Sequence, residues 1–170
     1  NFGTLRLASA VANTPFFTTP NQTLTVNGFL TLSLDRDTLP SVGNNKTFGT
    51  DHGGQQIIFN NDAFLYINGA DSVLMEAEIV LNDIVNFRFD YQNLYVRDVM
   101  SGNGRLVKMG VGALYFDNLE ANTDPSQVSS FSGGLDLFSG RAEALQLGAN
   151  LGAGPIRLYS GGYLSVFSTD

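Results

Sequence analysis

Apolar and polar residues alternate in short runs along most of this chain, and glycine, asparagine or aspartate breaks nearly every run. The pattern is densest from Ser101 to Asp170, where glycine leads each run. The runs are Gly104-Arg105-Leu106-Val107-Lys108, Gly112-Ala113-Leu114-Tyr115-Phe116, Gly133-Gly134-Leu135-Asp136-Leu137, Gly154-Pro155-Ile156-Arg157-Leu158 and Gly161-Gly162-Tyr163-Leu164-Ser165-Val166. A period of two places the aliphatic residues on one face of a strand and Arg105, Asp136, Arg157 and Ser165 on the other. Strands this short cannot bury a dry face alone, so the copies are expected to stack on one another, which predicts a solenoid.

Gly3-Thr4-Leu5-Arg6-Leu7 has the same form at the start of the chain. Residues 8 to 23, with Pro15 and Pro20, predict a loop or irregular cap anchored by Phe16-Phe17. Leu24 to Leu34 alternates again around Asn27-Gly28, a dipeptide that suits either a hairpin turn or a corner between two strands of one coil. The corner is preferred, because the glycine-led form recurs elsewhere without a hairpin partner. Asp35 to Gln56, with Pro40, Asn44-Asn45 and Gly53-Gly54, predicts a long surface excursion. From Gln56 to Val99 short strands return at 57–59, 63–67, 73–75, 79–81, 85–91 and 94–96, separated by Asn, Asp and Gly, which suit tight corners. Ser72 to Asp83 has some helical character, but its Val, Ile and Leu content favours strand.

Marked repeats begin at Gly3, Gly28, Gly112, Gly134 and Gly162, separated by 25, 84, 22 and 28 residues. A coil of about 25 residues gives roughly seven rungs and a rod about 30 to 35 Å long at the strand spacing of a sheet. One domain covers residues 1–170, with the excursion at about 35–56.

Composition agrees with an all-β chain: 19 glycines and 13 phenylalanines, and few of the Lys, Glu and Arg that favour helix. A net charge of −7 argues against nucleic acid and against an anionic membrane surface. No apolar run approaches the roughly 18 residues of a membrane helix. The absence of cysteine removes disulfides, thiolate metal sites and a Cys nucleophile. The chain opens on Asn1-Phe2-Gly3 without a methionine or leader, which suggests processing or a fragment.

The segment Gly104-x-Leu106-Val107-Lys108-x-Gly110-x-Gly112-x-Leu114-x-Phe116, with Gly133-Gly134-Leu135-x-Leu137, Leu151-Gly152-x-Gly154-Pro155-Ile156-x-Leu158 and Gly161-Gly162-x-Leu164, resembles the passenger-associated repeat of bacterial autotransporters. That resemblance implies a right-handed parallel β-helix, secreted and displayed on the cell surface. It implies no chemistry, because the repeat is scaffold.

Catalytic signals are weak. His52 is the one histidine and sits among turn residues. Asp35-Arg36-Asp37 lacks the later Gly and Glu of a calcium loop. Glu76 and Glu78 share a strand face and raise an acid–base pair, while Asp62, Asp71, Asp83 and Asp90 raise a polysaccharide-cleaving site. Corners and solvated faces account for all six more simply. No catalytic residue, cofactor or metal is assigned. Tyr115, Phe138, Tyr159, Tyr163 and Phe167 suggest an outward aromatic stripe.

The weak point of a β-helix is its ends, where backbone groups and apolar side chains lack a neighbour. Both ends of this sequence are strand-like, so it is either an excerpt of a longer solenoid or a subunit that stacks head to tail. The leading expectation is a secreted, non-enzymatic structural protein that polymerises with copies of itself into a cell-surface filament or matrix. Leu5, Leu7, Leu164 and Val166 are the expected mating rung. The alternatives are an adhesin passenger module that binds glycan, a host surface or another surface protein through the 35–56 excursion, and a β-helical polysaccharide-acting enzyme. An outer-membrane barrel is disfavoured by the shortness of the strands.

Overall fold

The structure, a computed structural model, describes residues 4–8, 19–34, 46–50, 53–69, 72–118, 128–145 and 151–166. Among them are fifteen strands and no helix. In chain order the first eight are β1 (Thr4–Ala8), β2 (Thr23–Val26), β3 (Phe29–Leu34), β4 (Lys46–Phe48), β5 (Gln56–Phe59), β6 (Phe64–Gly69), β7 (Val73–Met75) and β8 (Glu78–Leu81). They are followed by β9 (Ile84–Phe89), β10 (Leu94–Val96), β11 (Met100–Gly102), β12 (Arg105–Met109), β13 (Ala113–Phe116), β14 (Leu135–Ala144) and β15 (Ile156–Val166).

The strands form three parallel ladders. One runs β1-β3-β6-β9-β12 and continues through the first halves of β14 and β15. A second runs β4-β7-β10-β13 and continues through the second halves of β14 and β15. β14 bends between them, and so joins both into one 11-stranded sheet. The third ladder is the four-stranded sheet β2-β5-β8-β11. The chain visits the three ladders in turn, so the fold is all-β, parallel and solenoid-like.

Alternation of side chains then fills the interior. Leu5, Leu30, Leu65, Phe87, Lys108, Leu137 and Leu158 are successive register partners along the first ladder. Their separations are 25, 35, 22, 21, 29 and 21 residues, so the basic step is 21 to 22 residues. The two longest steps contain residues 35–45 and 119–127, which lie outside the described residues. A second inward column is Phe48, Met75, Val96, Phe116, Ala144 and Val166. Edge-on contacts such as Phe59 with Phe87, centroids 5.5 Å apart, tie neighbouring ladders together.

The glycine-led runs mark corners rather than coils. Gly104 and Gly112 open β12 and β13, which lie in different ladders and do not pair with each other. Two runs therefore fit within one circuit, contrary to the expectation of one run per stacked copy. Glycine is needed where the backbone turns onto the coil beside it. A Cβ on Gly104 would stand 2.2 Å from the Asp83 carbonyl oxygen, and one on Gly140 2.3 Å from that of Gly110. In the earlier coils asparagine does this work by another route. Asn60 Nδ2 donates to Asn27 Oδ1 and Asn82 Nδ2 to Asn60 Oδ1, each at 2.9 Å, making a ladder of amides along one corner.

Asn27-Gly28 is a corner, since β2 and β3 belong to different sheets. The excursion expected at 35–56 is shorter than its sequence suggests: Lys46–Phe48 is a strand paired with β7, Phe48 is fully buried, and Gln56 begins β5. Gln55 holds the intervening turn, donating from Nε2 to Thr19 O and Thr50 Oγ1 at 3.2 and 2.9 Å. Ser72 to Asp83 contains the strands β7 and β8, as its β-branched content predicts.

Candidate functional site

The inward column of the first ladder changes character only at its ends. Leu30, Leu65, Phe87, Lys108 and Leu137 have no exposed surface, whereas Leu5 is 42% exposed and Leu158 is 54% exposed. Ile156 and Val166 on β15 are exposed as well, although their partners Leu135 and Ala144 on β14 are buried. The last described rung thus presents a row of side chains in the phase of the core, with one neighbouring strand instead of two. Among the four residues expected to form a mating rung, Leu5 and Val166 are exposed, Leu164 is partly buried against the core, and Leu7 lies on β1. The register separates them, however. Leu164 follows Val73, Leu94, Leu114 and Ala142 on the second ladder, so the counterpart of Leu5 at the far end is Leu158.

The outer face of the same strands is held by charge and by rings. Asp136 is buried between two guanidinium groups, with Arg157 Nη1 3.1 Å from Oδ1 and Arg105 Nη1 3.8 Å from Oδ2. Phe138 and Tyr159 stack face to face at 4.0 Å, and Tyr95 and Tyr115 at 4.6 Å. Arg88 stands over the Tyr66 ring and Arg141 over the Tyr115 ring, at 5.8 and 5.7 Å. The expected aromatic stripe is therefore partly a set of paired ladders, with Tyr163 exposed beside it; Phe167 lies outside the described residues.

Lys108 is the feature that sequence reasoning passed over. It follows Leu106 at the inward parity of β12, and its stem occupies the core column between Phe87 and Leu137. Its ammonium turns to the corner, donating to the carbonyl oxygens of Gly110 at 2.8 Å, Met109 at 2.9 Å and Ser139 at 3.4 Å. The Phe89 ring centroid lies 4.8 Å away. Parity alone carried the signal, because a lysine at an apolar position of a strand must bury its stem.

Burial pushes the Lys108 pKa down to about 8, with the Asp90 carboxylate pulling weakly the other way. Between that value and the ordinary 10.5 the unfolded chain binds more protons than the folded one. Folding stability should therefore rise with pH from about 8 to about 10, and be lost again as pH falls through 8. The full effect is on the order of 3 kcal/mol. Tyr66 and Tyr95, whose pKa values are raised, the first by its hydrogen bond to Asp90 and the second by burial, oppose the rise above pH 10. The check is urea unfolding against pH for the wild type and Lys108→Met. The difference between the two curves should slope only in this window, and a flat difference would refute the assignment.

The carboxylates considered for catalysis are each occupied or apart. Glu78 accepts from Gln56 Nε2 at 2.6 Å and Ser101 Oγ at 2.8 Å, while Glu76 faces Arg97 at 3.7 Å. Asp90 is bound by Arg88 Nε at 3.0 Å and the Tyr66 hydroxyl at 2.9 Å, and the Arg88 hydrogen bond lowers its pKa. Asp62 is at a left-handed corner with φ 55°, and Asp83 Oδ1 accepts from the Ile84 amide. Asp71, His52, Asp35 and Asp37 lie outside the described residues. One shallow cleft of about 290 Å³ runs along the corner between Asn82, Asp83, Asn103 and Arg105. Among the described residues no group of three metal-binding side chains occurs. No protein-family model, curated protein or solved structure matches the chain.

Proposed function

We propose that the chain is a right-handed parallel β-helix of roughly seven short coils, acting as a secreted, non-enzymatic structural subunit that stacks head to tail. The assembly is a filament or matrix on a bacterial cell surface. The observation that carries this reading is the column from Leu5 to Leu158, dry through five successive members and exposed at both ends. Among the described residues β15 pairs with β14 alone, and a parallel strand with exposed inward side chains is a template for another rung. Covering Ile156, Leu158 and Val166 contributes about 1 kcal/mol each by transfer alone, before the strand hydrogen bonds are counted. The strong preference of parallel crossovers supports the right hand, and the seven partners of that column support the coil number. The cell-surface location rests on the resemblance of residues 104–164 to the autotransporter repeat.

The test is Leu158→Asp. A carboxylate in the mating rung should raise the concentration needed for assembly at least tenfold while the far-UV spectrum and unfolding midpoint stay near wild type. Negative-stain microscopy and sedimentation of the purified chain read the result. Filaments formed equally by the variant, or a wild type that stays monomeric at high concentration, would reject the proposal.

A further inference from the structure

We propose that the cleft at the corner before β9 and β12 binds one residue of a neutral saccharide. The cleft opens where the ladder of amides is interrupted. Asn27, Asn60, Asn82 and Asn103 directly follow the register partners Val26, Phe59, Leu81 and Gly102, so all four belong to one column. Hydrogen bonds join the first three, but among the described residues none joins Asn103 to Asn82. The backbone gives the reason. The amides of Asn60 and Asn82 donate to the carbonyl oxygens of Val26 and Phe59, whereas on the next coil it is Gly104, one residue later, that donates to the Leu81 oxygen, at 2.7 Å. Gly102 permits this shift, with φ 101° and a backbone so close that a Cβ would stand 2.1 Å from the same oxygen. Asn103 is thereby left exposed at the bend, and Asn82 Oδ1 accepts no hydrogen bond among the described residues.

The groups that line the opening are of mixed character. Asp83 uses Oδ1 to hold the Ile84 amide at 2.8 Å, which leaves Oδ2 as an acceptor. Arg105 reaches from the Gly133 carbonyl oxygen, 3.4 Å from Nε, toward Asp136, so its charge is shared with a buried carboxylate. A free anion would meet Asp83 and the Asn82 oxygen, and a metal ion would find a single carboxylate. A hydroxyl both donates and accepts, so two on adjacent carbons of a sugar satisfy a carboxylate oxygen and an amide together. Ile84, 41% exposed, offers an apolar surface to the C–H face of the ring. The volume of about 290 Å³ lies at the lower edge of small-molecule sites, which suits one ring of a longer chain. The cleft lies on the side of the coils and stands whether or not copies stack.

Titration of the isotope-labelled chain with the methyl glycosides of glucose, mannose and galactose, both anomers of each, tests the site by proton–nitrogen NMR. At least one should shift the side-chain amides of Asn82 and Asn103, saturating in the millimolar range. Binding should weaken at least tenfold in Asp83→Asn, which keeps an oxygen for the Ile84 amide, and in Asn103→Ala, which removes an exposed side chain and leaves the fold intact. No response to any of the glycosides, shifts confined to other residues, unaltered binding in both variants, or a stronger response to inorganic phosphate or glucuronate would each overturn the proposal.

Discussion

Lys108→Ala should lower the stability of the fold by about 3–5 kcal/mol, because it empties the middle of a core column and strips the donor from a corner at once. The stem stands between Phe87 and Leu137 in an interior without exposed surface, so its loss leaves a cavity lined by residues fixed in their own ladders. The ammonium is also the donor shared by the carbonyl oxygens of Met109, Gly110 and Ser139. These acceptors are partly buried, so leaving them without their donor costs toward the lower end of about 1–3 kcal/mol. Lys108→Met separates the two effects. It refills the column and removes a charge that is costly to bury, but leaves the carbonyl oxygens bare, so it should lose only about 1–2 kcal/mol. Urea unfolding followed by far-UV circular dichroism gives both values. Equal losses in the two variants would show that packing contributes nothing, and an unchanged Lys108→Ala would remove the corner from any account of stability.

That lysine also shows how far the sequence could be followed. Period-two alternation located most of the strands between Gln56 and Val99, and the parity of Leu106 and Leu135 named their inward faces correctly. It could not show that Gly104 and Gly112 open two sides of one circuit, because a strand and the corner after it look alike whichever ladder they join. The step of 21 to 22 residues was hidden for a related reason. Glycine does not recur at one fixed corner: Gly28 and Gly104 mark two coils, while Asn60 and Asn82 join Asn27 through amide hydrogen bonds on the coils between. Lys108 was named in its run but given no face, although its position two after Leu106 put its stem inside. For the end surface, Leu5 and Val166 were visible as apolar strand residues. The match of Leu5 to Leu158 needed the register of every intervening strand.

Gly140→Ala should cost about 3–4 kcal/mol, from two causes that a control can separate. Gly140 has φ 75°, a conformation that costs an L-residue about 1–2 kcal/mol. The added Cβ would also stand 2.3 Å from the Gly110 oxygen and 2.6 Å from that of Gly112, both backbone atoms of the adjoining coil. Gly54 has a similar φ of 66°, but there the nearest atom is the Asn21 side-chain oxygen, which can swing away. Gly54→Ala should therefore lose only the conformational part, about 1–2 kcal/mol. The same corner predicts coupling. Lys108 Nζ lies 2.9 Å from the Gly140 Cβ position and holds the very Gly110 oxygen that this Cβ displaces. Once Lys108→Met has released that oxygen, moving it no longer breaks the hydrogen bond to the ammonium, so the double variant should be more stable than the sum of the single losses by about 1 kcal/mol. Strict additivity in the double-mutant cycle would mean that the lysine and the glycine bend hold the coil independently, and that the ammonium does not anchor the turn of β14.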